Sequence, residues 1–227
     1  PVCIGAEPHS EEQRKRIEQL LGVKAYNCFG MSEMNGPGVA FECTEQNGLH
    51  IWEDNVIVEI VDPVTLQPVP EGEVGELVLT TINREAMPLL RYRTRDLTCI
   101  LPGDCPCGRT HKRLARFKGR SDDMIILKGV NLFPIQIEKI LMQFKELGSN
   151  YLITLETIGN SDEMLIEVEL SDLFTDDYSA LQRLTKGITR QLKDELLLTP
   201  RIKLVAKGSL PTTDGKAVRV KDHRKLC

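Results

Sequence analysis

Past residue 121 the apolar residues fall in an order that few folds can satisfy. Residues 124–127 are a short apolar run. Residues 134–147 set Ile137, Ile140, Leu141, Phe144 and Leu147 at helical spacing, with Pro134 suited to a first turn and Gly148 just beyond the end. Residues 151–155 and 164–170 read as strands joined by the loop Gly159-Asn160-Ser161. Leu181, Leu184, Ile188, Leu192 and Leu196 mark a long amphipathic helix, and residues 202–205 a final strand. Strand, helix, strand, strand, helix, strand is the order of a split βαβ, ferredoxin-like unit. The spacing therefore predicts a small α+β domain over 122–227, with a boundary near Ser121-Asp122.

Residues 1–121 follow a different pattern. Residues 11–21 carry Ile17, Leu20 and Leu21 on one helical face, with Ser10 placed to cap the start and Gly22 the end. Over 49–81 the pattern alternates, through Val56, Val58 and Ile60 and then Leu77 and Leu79, around the turn-rich stretch 63–75. Period two predicts antiparallel strands. The opening Pro1-Val2-Cys3-Ile4-Gly5 reads as a buried strand entering a turn, without an initiator Met, and the expectation is a piece of a larger protein. The fold class expected is mixed α-β, a β-rich region followed by a small α+β domain.

At 227 residues and 41% hydrophobic, the chain can bury real cores. Its 29 basic and 33 acidic residues make no field that would favour nucleic acid or an anionic membrane. No stretch approaches the roughly 18 to 20 consecutive apolar residues of a membrane span, and a cytoplasmic protein is the default expectation. Seven cysteines, an odd number at low density, point to reduced thiols rather than a disulfide scaffold. Cys43 and His50 lie close in sequence, and Cys105-Pro106-Cys107 supplies two more thiols. Ligands of types S, N, S and S suit a closed tetrahedral Zn²⁺ site, with His111 in reserve, although the spacing is not a zinc-finger pattern. Independent reduced cysteines are the other reading.

Five further motifs follow one another along the chain. Gly5-Ala6-Glu7-Pro8 and Phe29-Gly30-Met31-Ser32-Glu33 come first. Tyr92-Arg93-Thr94-Arg95-Asp96, then Gly119-Arg120-Ser121-Asp122-Asp123 leading into Lys128-Gly129-Val130-Asn131, and last Leu210-Pro211-Thr212-Thr213-Asp214-Gly215-Lys216, complete the series. Taken singly each also reads as an ordinary turn or strand end. In this order they resemble the adenylate-forming superfamily. The runs Gly36-Pro37-Gly38-Val39-Ala40 and Leu49-His50-Ile51-Trp52-Glu53-Asp54 are most similar to phenylacetate-CoA ligases.

The resemblance implies a function and roles. The chain would be the carboxy-terminal part of a large AMP-binding domain, 1–121, followed by a lid domain, 122–227. It would belong to an ATP-dependent ligase that joins an aryl acid to CoA through an acyl-adenylate. Gly5, Ala6, Glu7 and Pro8 would line the adenine and ribose pocket, Phe29 and Gly30 would pack on adenine, and Ser32 would face a phosphate. Glu33 would help hold Mg²⁺, which takes hard oxygen ligands. Asp96 would accept from both ribose hydroxyls, Arg120 would contact ribose or phosphate, and Asp122 would be the hinge. Gly129 would let the pantetheine arm of CoA approach, and Lys216 would reach the carboxylate and α-phosphate. Some relatives carry the Cys/His set, and the family implies a homodimer. The uncharged 36–40 run suits an apolar wall for the acid.

One family element has no match here, the Gly/Ser/Thr-rich loop for the β- and γ-phosphates. The chain alone is expected to be inactive. The alternatives are an adenylating enzyme that does not use CoA and a non-catalytic, zinc-stabilised nucleotide-binding module.

Overall fold

The computed structural model describes residues 1–7, 9–34, 36–159, 161–172, 178–211 and 217–224. It divides into two compact units, Pro1–Pro8 with Arg14–Asp123, and His9–Gln13 with Met124–Cys227.

In the first unit, β1 (Val2–Ile4) leads to α1 (Glu11–Leu21), β2 (Ala25–Met31), β3 (Gly36–Glu42) and β4 (Leu49–Ile51). Then come β5 (Val56–Val61), β6 (Gly75–Thr81), β7 (Tyr92–Thr98), β8 (Ile100–Leu101), β9 (Arg113–Leu114) and β10 (Gly119–Arg120). Among the described residues they form a six-stranded sheet ordered β1-β2-β3-β4-β9-β8 and a four-stranded sheet ordered β10-β7-β6-β5. The expected alternation is the register itself, with Val58 opposite Leu79 and Ile60 opposite Leu77. Leu49, Ile51, Leu77, Leu79 and Leu114 are fully buried in this unit's core. Trp52 lies edge-on to Phe41, ring centroids 6.0 Å apart.

One expectation here needs correction. β1 forms, but at a sheet edge with Cys3 exposed, so it is not buried. α1 begins as expected, with Ser10 Oγ accepting from the Gln13 N–H at 3.2 Å and Gly22 at φ +64 after its end. Leu20 and Leu21 are exposed, as on a surface helix, and give it no anchor in the core. The helix is held by polar contacts instead. Buried Arg14 pairs with Glu18 at 3.1 Å, and Glu18 also accepts from Ala25 N–H and Gln46 Nε2.

The second unit runs β11 (Ile125–Leu127), β12 (Val130–Leu132), α2 (Pro134–Leu141), β13 (Leu147–Ile158), β14 (Ser161–Leu170), α3 (Tyr178–Leu196), β15 (Arg201–Val205) and β16 (Val220–Asp222). Its sheet is ordered β15-β14-β13-β16. The expected order of elements is present, but β11 does not join that sheet. It pairs with β12 across Lys128-Gly129, both at positive φ as a two-residue hairpin requires. The place beside β13 is taken by β16, in parallel, a strand the sequence reading did not identify. α2 also stops at Leu141, six residues early. Phe144 and Leu147 still reach the core, one from a turn that sets its ring against Gly187 and the other as the first residue of β13. Apolar spacing alone cannot separate those routes from a continued helix.

Glu138 on α2 is a buried carboxylate that accepts from the Ser10 N–H at 3.0 Å and the Tyr151 hydroxyl at 3.3 Å. Burial outweighs these contacts and the nearby Arg219, and raises its pKa above the ordinary 4.5. A carboxyl raised on folding favours the native state at low pH, and that contribution is lost as pH rises through the folded value. Glu138→Gln keeps an acceptor for Ser10 and is expected to raise the melting temperature at pH 8 relative to the parent chain. Melts at pH 4 should show the advantage gone.

Candidate functional site

In the first unit, three of the sequence motifs meet on one face. β2 presents Phe29, whose ring lies 4.4 Å from that of Phe117, at 38° between planes. The 3-10 turn Ser32–Met34 follows and exposes Ser32 and Glu33. The Tyr92 hydroxyl at the start of β7 lies 3.5 Å from Glu33 Oε1, and the Arg84 guanidinium donates to the Glu33 carbonyl. Four residues along the same strand, Asp96 stands opposite Arg120 of β10 in register. Arg120 Nη1 lies 3.8 Å from Asp96 Oδ1 and donates to the Thr94 carbonyl at 3.2 Å. Thr94 itself is buried, donates to Leu77 O at 3.0 Å and accepts from the Asp96 N–H at 3.1 Å, which fixes the strand beneath the carboxylate.

Asp122 grips Arg120 with both oxygens, each at 2.8 Å. The hydrogen bonds from Arg120 hold the Asp122 carboxyl below its ordinary 3.8. Burial, followed by the charge of Glu33, raises the Tyr92 phenol above its ordinary 10.0, so it is a proton donor at neutral pH. A cavity of about 600 Å³ opens beside the turn, lined in part by Met34, Gly38, Asn55 and Arg84. Gly38 of the 36–40 run lines the cavity, while Val39 and Ala40 are buried in the core.

A second constellation lies where β3 and β4 pair. Phe41 opposite His50 in that register carries Cys43 toward the imidazole. The donor atoms of Cys43, His50, Cys105 and Cys107 all lie within 4.8 Å of one another. Cys43 Sγ is 3.6 Å from Cys105 Sγ, and Cys107 Sγ is 3.5 Å from His50 Nε2. A tetrahedron with Zn–S of about 2.3 Å and Zn–N of about 2.05 Å has edges of about 3.75 Å and 3.55 Å, which these two separations match, so the donor set is of the right type and spacing to close on zinc. His50 Nδ1 faces the His111 carbonyl at 3.3 Å, the outer contact that would direct Nε2 to a metal. His111 thus enters through its backbone rather than as the reserve ligand.

Burial pushes the Cys43 thiol up to about 11, while the Arg109 N–H and guanidinium bring Cys107 down to about 7. A divalent cation would reverse the penalty on Cys43. The loop has a second anchor in buried Arg113, which donates to the carbonyls of Asn47, Gly103 and Asp104 at 2.9, 3.1 and 3.3 Å.

Residues 1–83 match the family model of AMP-binding enzymes, and residues 129–224 match the AMP-binding enzyme C-terminal domain. The chain belongs to the AMP-binding enzyme family. Among curated relatives it is 43% identical over 239 residues to the phenylacetate-coenzyme A ligase of Thermus thermophilus, covering 99% of this chain and 54% of that protein. It is 44% identical over 223 residues to the Pseudomonas putida enzyme of the same name, covering 97% and 50%. The chain therefore spans about half the length of the curated relatives it matches. A solved 2-hydroxyisobutyryl-CoA ligase, in the postadenylation state with R3-HIB-AMP, superposes with a TM-score of 0.88 at 30% identity over 97% of this chain and 48% of that one.

The structure also describes several of the other expected residues of this chain. Gly5 closes the end of β1, where a Cβ would stand 2.6 Å from both the carbonyl and the sulfur of Cys28, so strand packing alone requires glycine there. Ala6, at φ +69, and Glu7 follow it. Gly129 occupies the β11–β12 turn of the second unit. Pro8 and Lys216 lie outside the described residues. Sequence reasoning assigned no role to Tyr92 or Phe117. Tyr92 opens the Tyr92-Arg93-Thr94-Arg95-Asp96 motif, four residues before Asp96. Phe117 stands two residues before Gly119-Arg120, and its partner Phe29 is 88 positions away, which no local pattern reveals.

Proposed function

We propose that this chain forms the carboxy-terminal half of an ATP-dependent, AMP-forming aryl-acid:CoA ligase of the phenylacetate-CoA ligase type, acting in the cytoplasm. The observation that carries this reading is the gathering of Glu33, Tyr92, Asp96 and Arg120 on one face beside the Phe29–Phe117 pair. Relatives named phenylacetate-coenzyme A ligase at 43% and 44% identity support the substrate class.

In the first step the acid's carboxylate attacks the α-phosphorus of ATP and pyrophosphate leaves; in the second a CoA thiolate displaces AMP from the acyl-adenylate. Phe29 packs on adenine and Asp96 accepts from the ribose hydroxyls, with Arg120 holding the sugar and phosphate side. Gly5, Ala6, Glu7 and Pro8 line the pocket, and Gly30 allows the ring its approach. Ser32 faces a phosphate, and Glu33 contributes a carboxylate oxygen to Mg²⁺, which when bound offsets phosphate charge. Lys216 brings an ammonium to the reacting centre, stabilising charge that grows in the transition state. Asp122 serves as the hinge and Gly129 admits the thiol arm. Cys43, His50, Cys105 and Cys107 would hold a zinc ion in a structural rather than a catalytic role, since four protein ligands fill its usual set.

The test separates the half-reactions in the full-length protein. Lys216→Ala is expected to lower acid-dependent pyrophosphate exchange by about 10²- to 10³-fold. Thioester formation from supplied acyl-adenylate should stay near the parent rate. Equal loss in both steps counts against the assignment, and stable release of adenylate in the presence of CoA counts against a CoA ligase.

A further inference from the structure

We propose that Tyr92 is a positioning residue for Glu33, setting the carboxylate at the angle that a phosphate-bound divalent cation needs. The inference rests on the reading of Glu33 as a cation ligand. Glu33 sits in an exposed turn of three residues, followed by Gly36 at φ +98. So short a turn leaves a long side chain with most of its rotamer freedom, and ordering it on cation binding would cost free energy.

Two side chains from farther along the first unit limit that freedom. Arg84 fastens the turn through the Glu33 carbonyl, and the Tyr92 hydroxyl meets Oε1 of the carboxylate at 3.5 Å. The Tyr92 ring packs against the first unit's core, so the hydroxyl is delivered by a packed framework rather than by a mobile chain. Donation to Oε1 would leave Oε2 for a cation, the one-oxygen mode that Mg²⁺ accepts beside phosphate oxygens. The separation is long for an O–H···O bond, and contacts of this kind shorten when a ligand fills the site. β7 would then set both ends of the nucleotide, the cation through Tyr92 and the ribose through Asp96.

Tyr92→Phe in the full-length protein keeps the ring and removes only the hydroxyl, and Glu33→Gln is its companion. Two readouts are taken for each: Mn²⁺ bound in the presence of ATP, counted by electron paramagnetic resonance, and the Mg²⁺ dependence of pyrophosphate exchange. Loss of the hydroxyl is expected to weaken Mn²⁺ binding about tenfold, the scale found for outer contacts of metal ligands. The Mg²⁺ needed for half-maximal exchange should rise by a similar factor, with a smaller change in the rate at saturating Mg²⁺. Parent-like cation binding in Tyr92→Phe beside weakened binding in Glu33→Gln overturns the positioning role, whatever the melting temperature does. Parent-like binding in Glu33→Gln overturns the reading of Glu33 itself.

Discussion

Purified without chelator, the chain is expected to carry one zinc ion per molecule, and Cys105→Ser to lose it with a fall of roughly 10 °C in the melting temperature of the first unit. The size follows from where the ligands lie. Cys43 directly follows β3 and His50 lies on β4, while Cys105 and Cys107 belong to a loop about 60 positions further along the chain, so a metal held by all four would close a long loop. Cys105 is 5% exposed, and its serine replacement would leave a poor ligand among buried thiols. Metal content by mass spectrometry and thermal melts of parent and variant check the expectation. His111→Ala is the control: its carbonyl, not its ring, faces His50, so the metal should stay. A metal-free parent chain that melts together with Cys105→Ser would overturn the zinc reading.

Glu76→Ala is expected to destabilise the first unit by about 3 kcal/mol, at the lower end for breaking a buried ion pair because Arg93 retains some access to water. The Glu76 side chain is fully buried, and Arg93 meets it with two hydrogen bonds of 2.8 and 2.7 Å. Burial pushes the carboxyl up, but the hydrogen bonds and charge of Arg93 prevail and hold it below 4.5. A carboxyl lowered on folding stabilises the native state above its unfolded value, and that contribution disappears as pH falls through the folded value. The gap between parent and variant should therefore be full at pH 7 and shrink below about pH 4.5. Urea titrations at pH 7 and pH 3.5 measure it. Arg93→Lys should lose much of the same stability, since an ammonium cannot reproduce the two-pronged contact. Because Arg93 lies between Tyr92 and Asp96 on β7, this pair also supports the strand that carries both site residues.

Local patterns were enough to find the elements whose cues are local. Ser10 and Gly22 bracket α1, alternation gives the β5–β6 hairpin, and the spacing from Leu181 to Leu196 gives α3. Where the sequence misled, distant contacts decide. β16 is three residues long and gains its place only by pairing with β13, some 67 positions earlier. The site divides in the same way. Cys43, His50, Cys105 and Cys107 could be named as residue types suited to zinc, but the Phe41–His50 register brings only Cys43 near the imidazole, and the fold of the loop between β8 and β9 adds the other two thiols. The meeting of Tyr92 with Glu33 depends on strand order in two sheets, which periodicity does not encode.

The edge-on contact of Trp52 with Phe41 gives the molecule a built-in optical probe. Trp52 is the single tryptophan of the 227 residues, it stands two positions from His50, and it belongs to the first unit. Emission excited at the red edge of its absorption therefore reports on the first unit alone, while far-ultraviolet dichroism is weighted toward α3 of the other. Recorded together on one unlabelled sample, the two signals separate the denaturation of each half, and a coincident transition would mean that the halves melt as one.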